Sequence, residues 1–401
     1  MESFAALGIH PFLAAKLARR HILEPTEIQR RVIPPLLEGR GVLFQSATGT
    51  GKTFAYLLPL LQILLESGPG EAAPRGPALL IAAPTHELCS QIKAEADFLL
   101  EGSPLKAALL IGSVSPARQI ETLKKTRPAA AVGNPARLLM LARLGKLKLE
   151  GLRFLVLDEG DRLTADELLA NTRDLALLAG SRRKDLLTAA CSATIGRKSR
   201  ERLLPLMGEG CLTIRAGGEE LYRNFIEHWA IFSEGRRKIR TLRSFISAAR
   251  PGKALVFTGR PGDAGNITAQ LQHHRIAAAG LYGDLDKRKR RAALDDFRAG
   301  RVRVLVSSDL AARGLDIPGV THVIALDVPA GEEAYLHRAG RTGRAGRRGV
   351  MVTIGDAEEL PRLAAIEKRL GIAVYPKELY GGSLRAPAAW DGPRDPRQRQ
   401  T

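Results

Sequence analysis

Gly41-Val-Leu-Phe-Gln45 runs straight into Ser46-Ala-Thr-Gly-Thr-Gly-Lys-Thr53, and a helical pattern opens at Phe54. A short apolar run, a glycine-rich loop and then a helix is the geometry of a phosphate-binding loop. Glycines let successive backbone N–H groups curl around phosphate oxygens, and the N-terminus of the following helix adds the positive end of its dipole. In that arrangement Ser46, Thr48, Gly49, Thr50 and Gly51 line the cradle, Lys52 reaches the β- and γ-phosphates of ATP, and the Thr53 hydroxyl holds Mg²⁺. Ser46 stands where the strict pattern has Gly, so the strand–loop–helix context carries the reading rather than the spacing alone.

On both sides of this loop, short apolar runs alternate with longer helical patterns. In the first half the candidate strands are Gly41–Gln45, Ala78–Ala83, Ala107–Ile111, Ala129–Val132, Phe154–Leu157 and Leu186–Ala190. In the second half they are Glu227–Ile231, Ala254–Phe257, Ala277–Leu281, Val302–Val306, His322–Leu326 and Val350–Ile354. Near-continuous apolar strands separated by helices imply a mostly parallel sheet covered on both faces. Two such series imply two tandem α/β domains, residues 1–216 and 225–375. The Gly217-Gly218 pair opens a polar linker at 217–224. A helix near Glu358–Leu370 closes the second domain, and 376–401, rich in Gly, Pro and Arg, reads as a flexible basic tail.

Composition narrows the partners. The 401 residues carry 61 Lys and Arg against 42 Asp and Glu, a net charge of +19. Such an excess favours a polyanion, because each neutralised phosphate releases counterions. An anionic membrane surface is the competing partner, and neither a basic amphipathic helix nor a lipidation signal supports it. The longest apolar run, Phe54–Leu65, is interrupted by Pro59 and Gln62 and is too short to span a bilayer. Cys89, Cys191 and Cys211 lie far apart with no metal-ligand spacing, which points to a reducing, cytoplasmic compartment.

A second chemical cluster is Leu155-Val-Leu-Asp-Glu-Gly-Asp161. Acids directly after an apolar strand sit at the C-terminal edge of the sheet, where open α/β sheets bind ligands. There Asp158 can bind Mg²⁺ through water, and Glu159, also beside the metal, can orient and deprotonate an attacking water. A third is His337-Arg-Ala-Gly-Arg-Thr-Gly-Arg344, whose Arg341 and Arg344, three apart, would share one helical face. A solvated basic helix end is the bland reading of that run. The sharper one is a pair of guanidinium forks stabilising charge on a transferring γ-phosphate.

Taken together, these residues resemble the DEAD-box RNA helicases, two-domain RecA-like motors whose motifs recur here in order from Phe4 to Arg344. The resemblance implies ATP and RNA bound at an interdomain cleft. It also assigns roles. Pro25-Thr-Glu-Ile-Gln29 resembles the adenine-reading motif, with Thr26 and Gln29 toward the nucleotide and Phe4 packed behind. Ser192-Ala-Thr194 resembles the element coupling hydrolysis to domain closure, with Asp161 as its hydrogen-bond partner. Asp309-Leu-Ala-Ala-Arg-Gly-Leu-Asp316 resembles the motif whose last Asp binds the ribose, and His337 would link the ATP network to the facing domain.

RNA-facing positions follow from the same resemblance: Pro84, Thr85, His86, Gly112, Arg137, Thr258, Gly283 and Ser308. Most are small residues or loop ends suited to phosphate and 2′-OH contacts, which position a strand but read no sequence. Aromatics make up only 5% of the chain, so base stacking cannot dominate. Departures from the family pattern are Gly160 for Ala within Asp158-Glu-Gly-Asp161, Ile22 for an aromatic, His86 for Arg, Asn134 and Ala136 for Thr and Gly, and Lys287 for Gln. The expected activity is ATP-driven, sequence-independent local unwinding of RNA or remodelling of ribonucleoprotein. The alternatives are an ATP-gated RNA clamp within a ribonucleoprotein and a duplex-DNA translocase. Since no further RNA-recognition domain follows the core, targeting would come from the tail or from partner proteins.

Overall fold

The computed structural model describes residues 3–47, 49–67, 76–180, 185–208, 210–216, 225–259, 262–282, 285–309, 317–343 and 347–387. Thr48, Gly283, Asp316, Arg344, the linker 217–224 and the last fourteen positions, 388–401, lie outside them, as does the side chain of Lys287. The chain forms two compact units, Met1–Gly218 and Glu219–Thr401.

The first unit is built on a seven-stranded parallel sheet: β1 Val42–Gln45, β2 Leu79–Ala82, β3 Ala107–Leu110, β4 Ala130–Gly133, β5 Phe154–Asp158, β6 Leu187–Ser192 and β7 Leu212–Arg215, in the order β3-β4-β2-β5-β6-β1-β7. Side chains alternate between its faces, as strand geometry requires. Val42, Phe44, Leu79, Ile81, Phe154, Val156, Ala189 and Cys191 join one buried cluster, together with the helix Lys52–Glu66. Leu43, Leu80, Ala82, Leu155, Leu157 and Ala190 join another on the opposite face. Two buried faces explain why these strands read as unbroken apolar runs.

In the second unit the strands are β8 Ile226–Phe232, β9 Ala254–Thr258, β10 Ala278–Leu281, β11 Val304–Ser308, β12 His322–Ala325, β13 Gly349–Gly355, β14 Val374–Tyr380 and β15 Ser383–Arg385. They lie in the order β10-β11-β9-β12-β13-β8-β14-β15, parallel except for the last pair. Trp229, Ile231, Phe245, Val256, Val306, Ile324 and Val352 centre its core.

Three strands escape the apolar-run reading. β7 alternates half-buried and exposed positions, as an edge strand does. β14 and β15 fall where the sequence reads as tail, so the ordered second unit runs on past Tyr375. Pro376 hides β14, because proline lacks the N–H a ladder needs. Here β8 pairs with β14 at Pro376, while β15 pairs only Glu378–Tyr380, so the other side of Pro376 faces no strand.

Candidate nucleotide site and nucleic-acid face

At the C-terminal edge of the first sheet, strand order sorts the chemistry. β5, β6 and β1 are neighbours and end at Asp158, Ser192 and Gln45. Gly51, at φ 89°, caps the helix that Lys52 begins, and Gly49 takes φ 83°, both in the left-handed region open to glycine. Lys52 Nζ donates to the carbonyls of Ser46 (2.8 Å) and Ala47 (2.9 Å). Ser46 Oγ donates to Thr50 Oγ1 at 2.7 Å, and Thr50 Oγ1 donates to the Ala47 carbonyl at 2.7 Å. The loop is therefore tied through its own side chains.

Acids converge on this lysine. Burial holds the Lys52 ammonium below the usual lysine range, and the nearby Asp158, Glu159 and Asp161 carboxylates pull it back up. Asp158 is 4% exposed. Its Oδ2 accepts from the Tyr56 hydroxyl at 2.8 Å, and its Oδ1 accepts from the Glu159 N–H (2.8 Å) and the Cys191 thiol (3.0 Å). Glu159 sits at φ 52°, a left-handed conformation for a non-glycine residue, and starts the short helix Gly160–Leu163. A left-handed backbone at a non-glycine residue is an outlier of the kind that clusters at active sites. A Cβ on Gly160 would meet Leu203 Cδ1 at 3.0 Å, so glycine here leaves room for a tightly seated leucine. Thr194 Oγ1 donates to Asp161 Oδ2 at 3.2 Å, joining the two elements expected to be coupled.

Thr26 and Gln29 form a reciprocal cap on the helix Glu27–Leu37: Thr26 N–H donates to Gln29 Oε1 (2.9 Å) and Gln29 N–H to Thr26 Oγ1 (3.4 Å). Gln29 Nε2 also donates to the Gly51 carbonyl at 3.1 Å, so this amide senses the phosphate loop directly. Phe4 is buried in the same core cluster as Ile28 and Val32 of that helix.

The residues expected to face RNA occupy the neighbouring strand ends, β2, β3 and β4. Thr85 caps the helix His86–Leu100, accepting from Leu88 N–H at 3.2 Å, directly after Pro84. His86 lies against Gly112, where an added Cβ would stand 3.2 Å from its Nε2. Arg137 holds that loop, donating to the carbonyls of Gly112 (3.1 Å) and Val114 (2.7 Å) and to Gln119 Oε1 (2.9 Å). In the second unit Thr258 and Ser308 are register partners at the ends of β9 and β11.

Arg341 departs from its sequence reading. The helix Glu332–Ala339 ends before it, Gly340 caps that end and Gly343 turns at φ 68°. The two glycines stop the helix, so no helical face carries Arg341; it lies buried in the turn, with Nε donating to the His337 carbonyl at 3.3 Å. Sequence reasoning also passed over Tyr56, Cys191, Arg338 and Asp327. A signal existed for two of them: Asp158 and Cys191 follow the parity of Val156 and Ala189, which turns both toward the helix bearing Tyr56.

A phosphate loop facing a nest of carboxylates, at the edge of the first of two α/β units, defines the class of P-loop nucleotide-binding proteins. Within it the chain belongs to the DEAD-box RNA helicase family. The family described as DEAD/DEAH box helicase matches residues 26–203, and the helicase conserved C-terminal domain matches residues 237–346. The DEAD-box ATP-dependent RNA helicase CshC of Bacillus cereus is 35% identical over 376 residues, which span 94% of this chain and 93% of that protein. The ATP-dependent RNA helicase CshA of Listeria monocytogenes is 32% identical over 391 residues, spanning 96% of this chain and 73% of that one. Among solved structures, S. cerevisiae Dbp5 bound to RNA and ADP BeF3 matches with a TM-score of 0.81 at 26% identity, covering 94% of this chain and 96% of that one.

Proposed function

We propose that this protein is an RNA helicase that couples ATP binding and hydrolysis to local, sequence-independent opening of short RNA duplexes or remodelling of ribonucleoprotein. The observation that carries the reading is that the helix beginning at Lys52 is bonded to the strand-end acid Asp158 through Tyr56, with the RNA-facing loops on the adjoining strands of the same sheet edge.

In this reading the cradle N–H groups and Lys52 hold the ATP phosphates, and Gln29 with Thr26 reads the adenine. The residues present suit Mg²⁺, which takes hard oxygen ligands: they offer the Thr53 hydroxyl and the Asp158 carboxylate, the latter held by the Tyr56 phenol, with Glu159 adjoining. Bound there, the ion would neutralise charge on the phosphates. Glu159 orients the attacking water and takes its proton. Arg341, with Arg344, supplies positive charge to the γ-phosphate as it transfers, and Asp316 holds the ribose. Ser192 and Thr194, with Asp161, couple hydrolysis to domain closure, and His337 links the ATP network to the facing domain. A cytoplasmic setting accords with the three free thiols, and no helix among the described residues is long and apolar enough to cross a membrane.

The direct test is ATP turnover with and without single-stranded RNA. Stimulation by RNA and not by DNA is expected; no stimulation, or equal stimulation by both, counts against the reading. Glu159→Gln separates unwinding from clamping: a protein that keeps its cellular role after losing turnover works as a clamp.

A further inference from the structure

Tyr56 is a fully buried phenol in an otherwise apolar stretch of helix, four residues after Lys52. It packs in the cluster that Val156 and Ala189 form on one face of the sheet. Its hydroxyl donates to Asp158 Oδ2 at 2.8 Å, while Thr53 lies three residues earlier on the same helix. One phenol thus ties the helix that follows the phosphate loop to the strand-end carboxylate that the proposed function assigns to Mg²⁺.

The carboxylate it touches is nearly saturated. A carboxylate offers about four acceptor positions, two on each oxygen. Oδ1 receives both the Glu159 N–H and the Cys191 thiol, and Oδ2 receives Tyr56. One position on Oδ2 is left. The alternation of β5 and β6 creates this arrangement, because Asp158 and Cys191 are register partners on the face that meets Tyr56. Without its partners a terminal carboxylate torsion is broad and roughly two-fold; with them, both oxygens are assigned before any ligand arrives.

We propose that Tyr56 is a positioning residue for the metal-bound nucleotide: it fixes the rotation of Asp158, so that a single Oδ2 lone pair is presented to a metal-bound water. Cys191 assists by occupying Oδ1. This rests on the assignment of Mg²⁺ to Asp158 and Thr53. Residues that orient metal-facing carboxylates typically change metal affinity by ~10–100-fold when lost.

The test titrates Mg²⁺ against binding of a fluorescent non-hydrolysable ATP analogue, in the full chain and in Tyr56→Phe, with parallel binding in excess chelator. The expected result is an Mg²⁺ midpoint raised by about tenfold, with chelator binding unchanged. A merely structural role would lower both together. Because removing a buried hydroxyl can weaken folding, thermal melting is followed, and Cys191→Ala provides a second variant with an expected smaller rise. If the folded variants keep the wild-type midpoint, Tyr56 does not position the site. If the wild type itself binds the analogue equally with and without Mg²⁺, the metal assignment fails and this inference falls with it.

Discussion

Arg338 grips Asp309 with two parallel hydrogen bonds, Nε to Oδ1 at 2.7 Å and Nη2 to Oδ2 at 2.6 Å. The same guanidinium reaches Asp327, donating to its carbonyl at 3.1 Å and its Oδ2 at 2.9 Å. Asp327 Oδ1 in turn accepts from the Gly259 N–H at 2.7 Å. Arg338 therefore joins the helix that precedes Arg341, Asp309 at the end of β11 and the end of β9 at Thr258. The turn bearing Arg341 and two strand ends of the second sheet share one cation.

Losing this cation leaves two carboxylates facing each other without a counter-charge. Arg338 is 2% exposed, but Asp309 and Asp327 keep 31% and 24% of their side chains in water, so the loss should fall below the ~3–5 kcal/mol of a fully buried pair. Arg338→Ala is expected to lower the unfolding midpoint of the second unit in urea, followed by Trp229 fluorescence in a Trp390→Phe background. Arg338→Lys keeps the charge but not the fork and should recover only part of the loss. An unchanged midpoint in Arg338→Ala would show that the network carries no stability.

Gly51→Ala tests the phosphate loop. At φ 89° an added Cβ is strained, by ~1–2 kcal/mol on steric grounds. It would also stand 2.4 Å from Gln29 Nε2, displacing the amide that reads the loop. ATP affinity by calorimetry should fall by about tenfold or more, since ~1.4 kcal/mol is a factor of ten. Gln29→Ala, which opens that space, should soften the defect in the double variant; simple additivity of the two losses would rule out the clash as its cause.

The phosphate loop and the acidic strand end were legible because each is a local pattern: a few consecutive residues whose order is itself the geometry. Partnerships were not. Tyr56 reaches Asp158 across 102 positions of sequence, and a tyrosine at helical spacing reads as core until the sheet supplies its neighbour. Arg338 stood inside the basic run ending at Arg344, yet its acidic partners belong to other strand ends. Of the elements, the central buried strands announced themselves through apolar runs, while β7, β14 and β15, at or near sheet edges, had too little burial to do so. The same locality misled at Arg341: the spacing of three suggested a helical face, and two glycines withdrew the helix beneath it.

Thiol chemistry follows from burial. Burial pushes the Cys89 thiol up from 9.0 to about 12, and pushes Cys191 and Cys211 up as well. Thiolate is the reactive form, so at pH 8 the native protein should react slowly with a disulfide reagent, Cys211 first, and release all three thiols only on unfolding. Stability carries the matching sign. A thiol whose folded value is raised keeps its proton in the native state while the unfolded chain ionises. Its contribution is full below pH 9 and, for Cys89, is lost between pH 9.0 and about 12. Melting temperatures should decline across that window, and Cys89→Ala should flatten the decline; identical slopes in the two proteins would assign the loss elsewhere.

Arg137 makes a sharper distinction than its sequence reading did. Its guanidinium already serves three acceptors around Gly112, so its first effect is on loop shape. Arg137→Ala should weaken single-stranded RNA binding in the presence of a non-hydrolysable ATP analogue, by about tenfold, while leaving nucleotide binding without RNA unchanged. The salt dependence discriminates the two roles. Removing a side chain that neutralises a phosphate reduces the slope of log affinity against log salt by roughly one, whereas misplacing the loop lowers affinity at constant slope. The internal bonds favour the second outcome.

Arg341 tests the proposal that the catalytic set is divided between the halves of the chain. Lys52, Thr53, Asp158 and Glu159 all belong to the first unit, and none of them supplies a fork-shaped cation to a transferring phosphate. An arginine in that role contributes ~10³–10⁵ to turnover, while contributing little to ground-state binding of ATP by the other unit. Arg341→Ala should therefore cut RNA-stimulated hydrolysis by at least about a hundredfold and change ATP affinity only slightly. Arg341→Lys should rescue little, because an ammonium cannot reproduce the bidentate geometry. Hydrolysis that survives the combined loss of Arg341 and Arg344 would confine catalysis to the first unit and overturn the division.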